Sequence, residues 1–142
     1  MKDSIEALYK EVVLEHFRRP RNRNPLDSPD GSALVVNPLC GDQVRVEVEL
    51  SDGRVSSASA RTRGCSIAVA AGSVMTELVR GMELEAIARL SGELERVVRG
   101  EDSGTQLDER LRAFARVADL PSRQRCALLP WEALEEALEQ AG

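Results

Sequence analysis

Apolar residues near the start of the chain recur every three or four positions, which is the spacing of one face of an α-helix. The pattern predicts an amphipathic first helix that ends before Pro20, because proline is disfavoured inside a helix. The stretch from Pro20 to Gly31 is rich in Pro, Asn and Asp and is predicted to be a loop. The apolar face of the helix consists of Ile5, Leu8, Tyr9, Val12, Val13 and Phe17.

The centre of the chain changes to a period of two, which is typical of a strand with one buried face. Asp52-Gly53 follows as a strong hairpin turn signal. Arg54 to Arg63 is therefore predicted to return as a second strand, a prediction that depends on the hairpin because the segment is rich in Ser and Ala. A shorter strand at about Ala33 to Val36 completes a small antiparallel sheet. The alternating apolar residues are Val44, Val46, Val48 and Leu50.

The second half of the chain has the pattern of helices. The stretch from Ser66 to Arg80 is apolar on most sides, which predicts a largely buried helix that ends at Gly81. We therefore expect an α+β fold, a small antiparallel three-stranded sheet covered on one face by helices, in one domain over residues 1–142. Further helices are predicted from Glu83 to Ala141, with breaks at Gly92, at Gly100 to Gly104 and at Leu120-Pro121.

Length and charge narrow the classes of function. A chain of 142 residues can bury roughly 70% of its unfolded surface, so a metal is not needed merely to make a core. The formal net charge of −5 argues against a nucleic-acid-binding surface. A local basic cluster is either a solvated loop or a docking patch. It consists of Arg18, Arg19, Arg21 and Arg23.

The segment from Met1 to Ala7 is too polar for a secretory signal, and no apolar run approaches the length of a membrane span. The three cysteines are an odd number, so a closed disulfide framework cannot use them all. Free thiolates suit a reducing compartment. These features predict a cytoplasmic protein that binds no membrane.

The chemistry of the chain is concentrated in its cysteines. Cys40 and Asp42 are two residues apart, and Gly41 allows the tight turn through which both could face one ion. With Cys65 and Cys126 they would form a tetrahedral site of three thiolates and one carboxylate. The alternatives are that each cysteine is a small buried apolar residue and that Asp42 is a turn residue.

The position of each cysteine predicts its reactivity. Cys65 follows Gly64 at the start of the buried helix, where free backbone N–H groups favour the thiolate form. The same argument applies to Cys126, which is predicted in the first turn of a helix capped by Ser122. Cys40 is predicted on a loop between strands, as the most accessible thiol and the one most able to move.

Three segments together resemble the U-type iron-sulfur scaffold family, the N-terminal domain shared by IscU, SufU and NifU. The first helix leaves through His16 to Asn22, H-F-R-R-P-R-N, which is similar to the family's H-[YF]-x-x-P-[RK]-N. Asn37 to Asp42 reads N-P-L-C-G-D, which is similar to the family's N-P-x-C-G-D. Gly64 to Ser73 reads G-C-S-I-A-V-A-A-G-S, which is similar to the family's G-C-x-I-x-x-A-x-x-S. The resemblance implies a SufE/NifU-like fold.

Two departures indicate the SufU branch of that family. IscU-type members carry a histidine directly before the third cysteine, where this chain has Arg125. They also carry a Leu-Pro-Pro-Val-Lys motif, whereas this chain reads Leu-Pro-Ser-Arg-Gln from Leu120. Chaperone binding through that motif is not expected. The stretch between Cys65 and Cys126 is also longer than in IscU-type proteins, as in SufU.

The resemblance implies two functions in iron-sulfur cluster biogenesis. In the first, Zn²⁺ is held by Cys40, Asp42, Cys65 and Cys126. Cys40 leaves the metal to accept persulfide sulfur from a SufS-like cysteine desulfurase, which is a sulfurtransferase-like role. In the second, the same residues hold iron as a labile [2Fe-2S] cluster on a non-enzymatic scaffold that passes it on. Other Suf cluster-assembly proteins are further implied partners. A third reading is an adaptor with purely structural zinc.

Three other residues were weighed for a role at the site. Arg125 is predicted to be catalytic, by pairing with Asp42 or with the thiolates, or else to be a solvated helix residue. His16 is the only histidine and is predicted to pack or to cap a helix rather than to bind metal. Trp131 is predicted to lie in the core or at an interface.

Overall fold

The structure is a computed structural model that describes residues 2–102 and 105–142. It confirms the predicted α+β fold. A 3₁₀ helix, Ala113–Asp119, joins the last two α-helices. In chain order the other elements are α1 (Lys2–Arg18), β1 (Gly31–Val36), β2 (Gln43–Ser51), β3 (Arg54–Arg63), α2 (Ser66–Val79), α3 (Leu84–Val98), α4 (Glu109–Arg112) and α5 (Pro121–Ala141).

The three strands form one antiparallel sheet in the order β1-β2-β3. The β2–β3 hairpin turns at Asp52 and Gly53, whose φ angles of 53° and 75° suit the tight turns that join twisted strands. Val44, Val46 and Val48 are fully buried on one face of β2, as their alternation predicted. Helix α5 packs across β1 and β2 on that face, and α2 packs against β3.

The loop between α1 and β1 lies over part of the opposite face of the sheet. The Leu26 and Ser28 amides donate hydrogen bonds to the carboxylates of Glu47 and Glu49, over 2.9 and 3.3 Å. The Ala60 amide of β3 donates to the Asn22 carbonyl over 2.9 Å. The predicted loop therefore covers the half of this face that lies towards the hairpin turn.

His16 fastens the end of α1 to the middle of α2. Its Nδ1 atom lies 2.7 Å from the hydroxyl oxygen of Ser73, and its Nε2 atom lies 3.7 Å from Glu77. Burial, reinforced by the cationic Arg21, lowers the pKa of His16, so the imidazole is neutral near pH 7. The packing role predicted for His16 is confirmed. Arg21 is paired with Glu15 and Glu77, while the other three arginines of the basic cluster are exposed.

Some of the predicted boundaries are wrong. Helix α3 runs through Gly92 without a break, because the apolar residues on either side of it, Ile87 and Leu94 among them, are buried and sustain the helix. Phe17 is 46% exposed, and His16 takes its place on the buried face of α1. The break at Gly100 is confirmed, although residues 103 and 104 lie outside the described part of the chain. Trp131 lies in the core as predicted.

None of the helices in the described ranges is both long enough and apolar enough to cross a membrane.

Candidate metal and thiol site

The loop between β1 and β2 presents Cys40 outward and Asp42 inward. Gly41 has a φ of +78°, a left-handed conformation that a side chain would disfavour. The Asn37 amide donates to the Asp42 carbonyl and the Gly41 amide donates to the Asn37 carbonyl, both over 2.8 Å. Cys40 is exposed and Asp42 is only 6% exposed. The predicted accessibility of Cys40 on a loop between strands is thereby confirmed.

The carboxylate of Asp42 lies directly against Gly64, at the end of β3. A Cβ atom placed on Gly64 would come within 2.5 Å of Asp42 Cγ, so only glycine fits there without moving the carboxylate. Asp42 Oδ2 is buried and has no hydrogen-bond partner among the described residues. A buried carboxylate oxygen without a partner is costly and indicates a place for a cation or a donor group.

Cys65 stands between β3 and α2, as the residue before the first turn of that helix. Its position at the start of the buried helix was predicted from the sequence. The thiol is half-buried and lies within hydrogen-bonding reach of Cys126. The Cys65 and Cys126 thiols, on different elements, therefore face each other.

The expectations for Cys126 are wrong in two respects. Helix α5 begins with Pro121 at its first position and has no side-chain cap, so Ser122 lies inside the helix and Cys126 lies in its second turn. Cys126 is also only 2% exposed. Burial, reinforced by the neighbouring Cys65 and Asp42, raises the pKa of the Cys126 thiol well above its usual range. In the absence of a cation this thiol is protonated.

The four predicted ligands converge from separate parts of the chain. Ligand atoms of Cys40, Asp42 and Cys126 all lie within 4.8 Å of one another. Cys65 contacts Cys126 but does not belong to that group of three in this conformation. Three sulfur donors and a carboxylate with one unpartnered oxygen are a donor set that fits Zn²⁺. The residues present therefore fit a metal, with a shift of the Cys65 side chain required for four ligands.

Arg123 rather than Arg125 interacts with the thiols. The guanidinium of Arg125 is half-exposed and ion-paired with Glu132, 3.3 Å from Nε to Oε2, and the pairing expected with Asp42 is absent. The guanidinium of Arg123 lies beside the Cys65 thiol, and this neighbour raises the pKa of Arg123. Arg123 precedes Cys126 by one helical turn, a spacing that could have indicated the contact from the sequence. Tyr9 of α1 also faces these cysteines, and burial raises the pKa of its phenol.

Replacing Gly64 by alanine is expected to weaken zinc binding by about tenfold, because the new Cβ displaces the Asp42 carboxylate. Zinc affinity is measured by competition with a chelator. Gly92→Ala is the matched control, since Gly92 is exposed on α3 with open space around it, and it should leave zinc affinity unchanged. Unchanged affinity in Gly64→Ala would show that the position of Asp42 does not matter to the metal.

Comparison with known proteins settles the family. The protein-family model of the NifU-like N-terminal domain matches residues 8–140 of the sequence. The chain belongs to this family. The match spans all four candidate ligands, so the resemblance of the three sequence segments to U-type scaffold proteins is confirmed.

Several members of the NifU-like family are similar to the chain over most of its length. The zinc-dependent sulfurtransferase SufU of Bacillus subtilis is 32% identical, over 98% of this chain and 96% of the relative. The iron-sulfur cluster assembly scaffold protein IscU of Streptococcus pyogenes is 31% identical, over 96% of this chain and 86% of the relative. The crystal structure of a NifU-like N-terminal protein from Brucella abortus superposes with a TM-score of 0.85 at 25% identity, covering 96% of each chain.

Proposed function

We propose that the protein is a zinc-dependent sulfur acceptor in iron-sulfur cluster biogenesis, which takes persulfide sulfur from a cysteine desulfurase onto Cys40 in the cytoplasm. The observation that supports this most directly is the β1–β2 loop. It places an exposed thiol within 4.8 Å of both a buried thiol and a buried carboxylate whose Oδ2 atom has no hydrogen-bond partner among the described residues. The similarity to a relative named as a zinc-dependent sulfurtransferase supports the same reading.

Cys40, Asp42, Cys65 and Cys126 would hold the metal. When bound, Zn²⁺ would keep the thiols deprotonated, which matters most for Cys126 because its pKa is raised in the metal-free protein. Asp42 would contribute its otherwise unpartnered Oδ2 atom. The two buried ligands, Asp42 and Cys126, lie in the protein interior, so the exposed Cys40 is the ligand a partner can reach without unfolding.

The transfer step is a thiol–disulfide type of exchange. The Cys40 thiolate attacks the outer sulfur of the donor's cysteine persulfide, a new S–S bond forms at Cys40, and the S–S bond of the donor breaks. The donor cysteine leaves as a thiolate, so no external oxidant or reductant is needed. Cys40 suits this role because its sulfur is the most exposed of the three.

The second candidate function is a scaffold for a labile [2Fe-2S] cluster. The similarity to a relative named as a cluster assembly scaffold favours it, and three thiolates with one carboxylate can ligate such a cluster. The exposed side of Cys40 would then be the exit for the cluster.

Metal analysis followed by a desulfurase assay distinguishes the two. The protein is purified aerobically, its zinc and iron are measured, and the rate of cysteine desulfuration is compared with and without it. One zinc per chain together with faster turnover supports sulfur transfer. A visible iron-sulfur chromophore that can be passed to an apo-acceptor, with no effect on turnover, would favour the scaffold.

Two arginines on α5 provide a matched test of the cation at the site. One variant tests the catalytic role predicted for Arg125, and the other tests Arg123, which contacts Cys65. We expect Arg123→Ala to slow sulfur acceptance about tenfold with zinc retained, and Arg123→Lys to slow it less, since lysine keeps the charge but not the planar fork. Persulfide formation is followed by mass spectrometry.

Arg125→Ala is expected to accept sulfur at the wild-type rate, because its guanidinium is engaged with Glu132. If Arg125→Ala is the slow variant and Arg123→Ala is not, the original assignment to Arg125 holds and the contact of Arg123 with Cys65 has no role in the transfer.

A further inference from the structure

The outer face of the sheet, opposite the helices, carries an uncovered patch of arginines. In the register of the strands, Leu34 of β1 lies beside Arg45 of β2, which pairs with Arg61 of β3. In the last row, Val36 and Arg63 flank Gln43. We refer to this surface as the arginine face. It consists of Leu34, Val36, Arg45, Arg61 and Arg63, all of them exposed.

The arginine face is the half of the sheet that the α1–β1 loop leaves open. The hydrogen bonds of that loop to the sheet include those with Glu47, Glu49 and the backbone of Ala60, so it covers the half towards the hairpin turn. Ser59, on the covered half, is 1% exposed, whereas Leu34 and Val36 are 46% and 45% exposed. Exposed large apolar side chains next to exposed arginines are frequent at protein–protein interfaces.

The charge of this surface is opposite to that of the whole chain, which has a net charge of −5. Among the described residues, Arg63 and Arg45 have no ion-pair partner, and Arg45 donates a hydrogen bond to the Ser32 hydroxyl over 3.4 Å. Arg61 is paired with Glu47 at 3.6 Å, which offsets part of one charge. A positive surface on an acidic protein selects a negatively charged partner and repels another copy of itself.

The arginine face adjoins the thiol site. Val36 ends β1, Gln43 begins β2 and Arg63 ends β3. The Cys40 loop joins β1 to β2 at this end of the strands, and Gly64 lies against Asp42 at the same end. Leu39, directly before Cys40, is 93% exposed. A partner seated on the arginine face would therefore also cover Cys40.

We propose that the arginine face docks an acidic surface of the protein that donates the sulfur. This inference rests on the proposed function for the identity of that partner. A second copy of the chain is the less favoured occupant, because its own arginines would oppose these. Leu34 and Val36 would supply the apolar contact, and the arginines would set the orientation of Cys40 towards the incoming persulfide.

The test is the affinity for a purified cysteine desulfurase of the same organism, measured by calorimetry at low and high NaCl. The triple variant Arg45→Gln/Arg61→Gln/Arg63→Gln is expected to bind about tenfold more weakly than wild type at low salt, and to lose most of the salt dependence. The control is Arg89→Gln/Arg96→Gln/Arg99→Gln, with two arginines on α3 and one directly after it. It makes the same charge change on exposed residues of the helical side of the molecule and should bind as wild type. Zinc content confirms that both variants are folded.

The outcomes separate this inference from the proposed function. If wild type binds and accepts sulfur while the β-strand variant does so equally well, the docking surface is overturned and the proposed function stands. If wild type does not bind the desulfurase, the proposed function fails and this inference with it. If sedimentation shows a wild-type dimer that the variant loses, the occupant is a second copy and the inference is wrong.

Discussion

Replacing Cys40 by serine is expected to abolish persulfide formation and the stimulation of the desulfurase. A hydroxyl cannot form the S–S bond that the transfer requires, so the loss should be complete rather than graded, at least on the order of 100-fold. Cys40 is the exposed thiol of the site, while Cys126 is buried in the interior. Incubation with desulfurase and cysteine, followed by intact-mass and peptide mass spectrometry, gives the position of the added sulfur.

Zinc content is the control for Cys40→Ser, because loss of acceptance could also follow from collapse of the site. Since Cys40 is exposed, we expect the variant to stay folded and to retain part of its zinc with water as a replacement ligand. Added sulfur on Cys65 or Cys126 of the variant, with turnover still stimulated, would contradict the assignment of Cys40 as the acceptor.

Replacing Cys126 by serine is expected to weaken zinc binding on the order of 100-fold, because one of four strong ligands is lost. The effect of Asp42→Ala should be smaller, about tenfold, since water can enter the vacated position. Cys65→Ser tests the ligand that lies outside the close group of three, and it should behave like Cys126→Ser if Cys65 turns towards the metal. Chelator competition measures all three affinities.

Thermal unfolding in the presence of chelator separates metal loss from damage to the core. Cys126 is 2% exposed, so serine buries a hydroxyl where a thiol packed, and some loss of stability without metal is expected. Full zinc occupancy in both Cys65→Ser and Cys126→Ser would rule out the four-ligand site.

The sheet and the buried helix could be predicted from sequence because local signals and tertiary packing agree there. Val44, Val46 and Val48 alternate strictly, and the turn at Asp52-Gly53 fixes the register. Gly92 failed as a helix break because packing on both sides outweighs the modest helix penalty of one exposed glycine. Helix propensity depends on the local sequence alone and does not include such packing.

The site shows the same division between local and long-range information. The motif around Cys40 and Asp42 places both on one loop, and the structure brings Cys126 to them from α5. The sequence places Arg123 one helical turn before Cys126 and therefore on the same side of α5. Its contact with Cys65 depends on how α5 packs against α2, which local sequence does not specify. Arg125 was chosen because it adjoins Cys126, yet a residue one helical turn away lies nearer to the same side. The burial that raises the pKa of Cys126 is likewise a property of the packed molecule.

The hydrogen bonds that close the Cys40 loop limit how far its thiol can travel. Asn37, at the start of the loop, is joined through its backbone to Gly41 and Asp42 at the other end. Its side-chain oxygen accepts a hydrogen bond from the Leu39 amide at 3.1 Å. Asn37 is itself buried, so the loop is tied to the interior. The Cys40 sulfur can rotate about its own side-chain bonds, but it has no long arm with which to reach into a deep cleft. In sulfur transfer, the donor protein would then have to carry its persulfide on a mobile segment up to the Cys40 thiol, because the loop that holds Cys40 can move little.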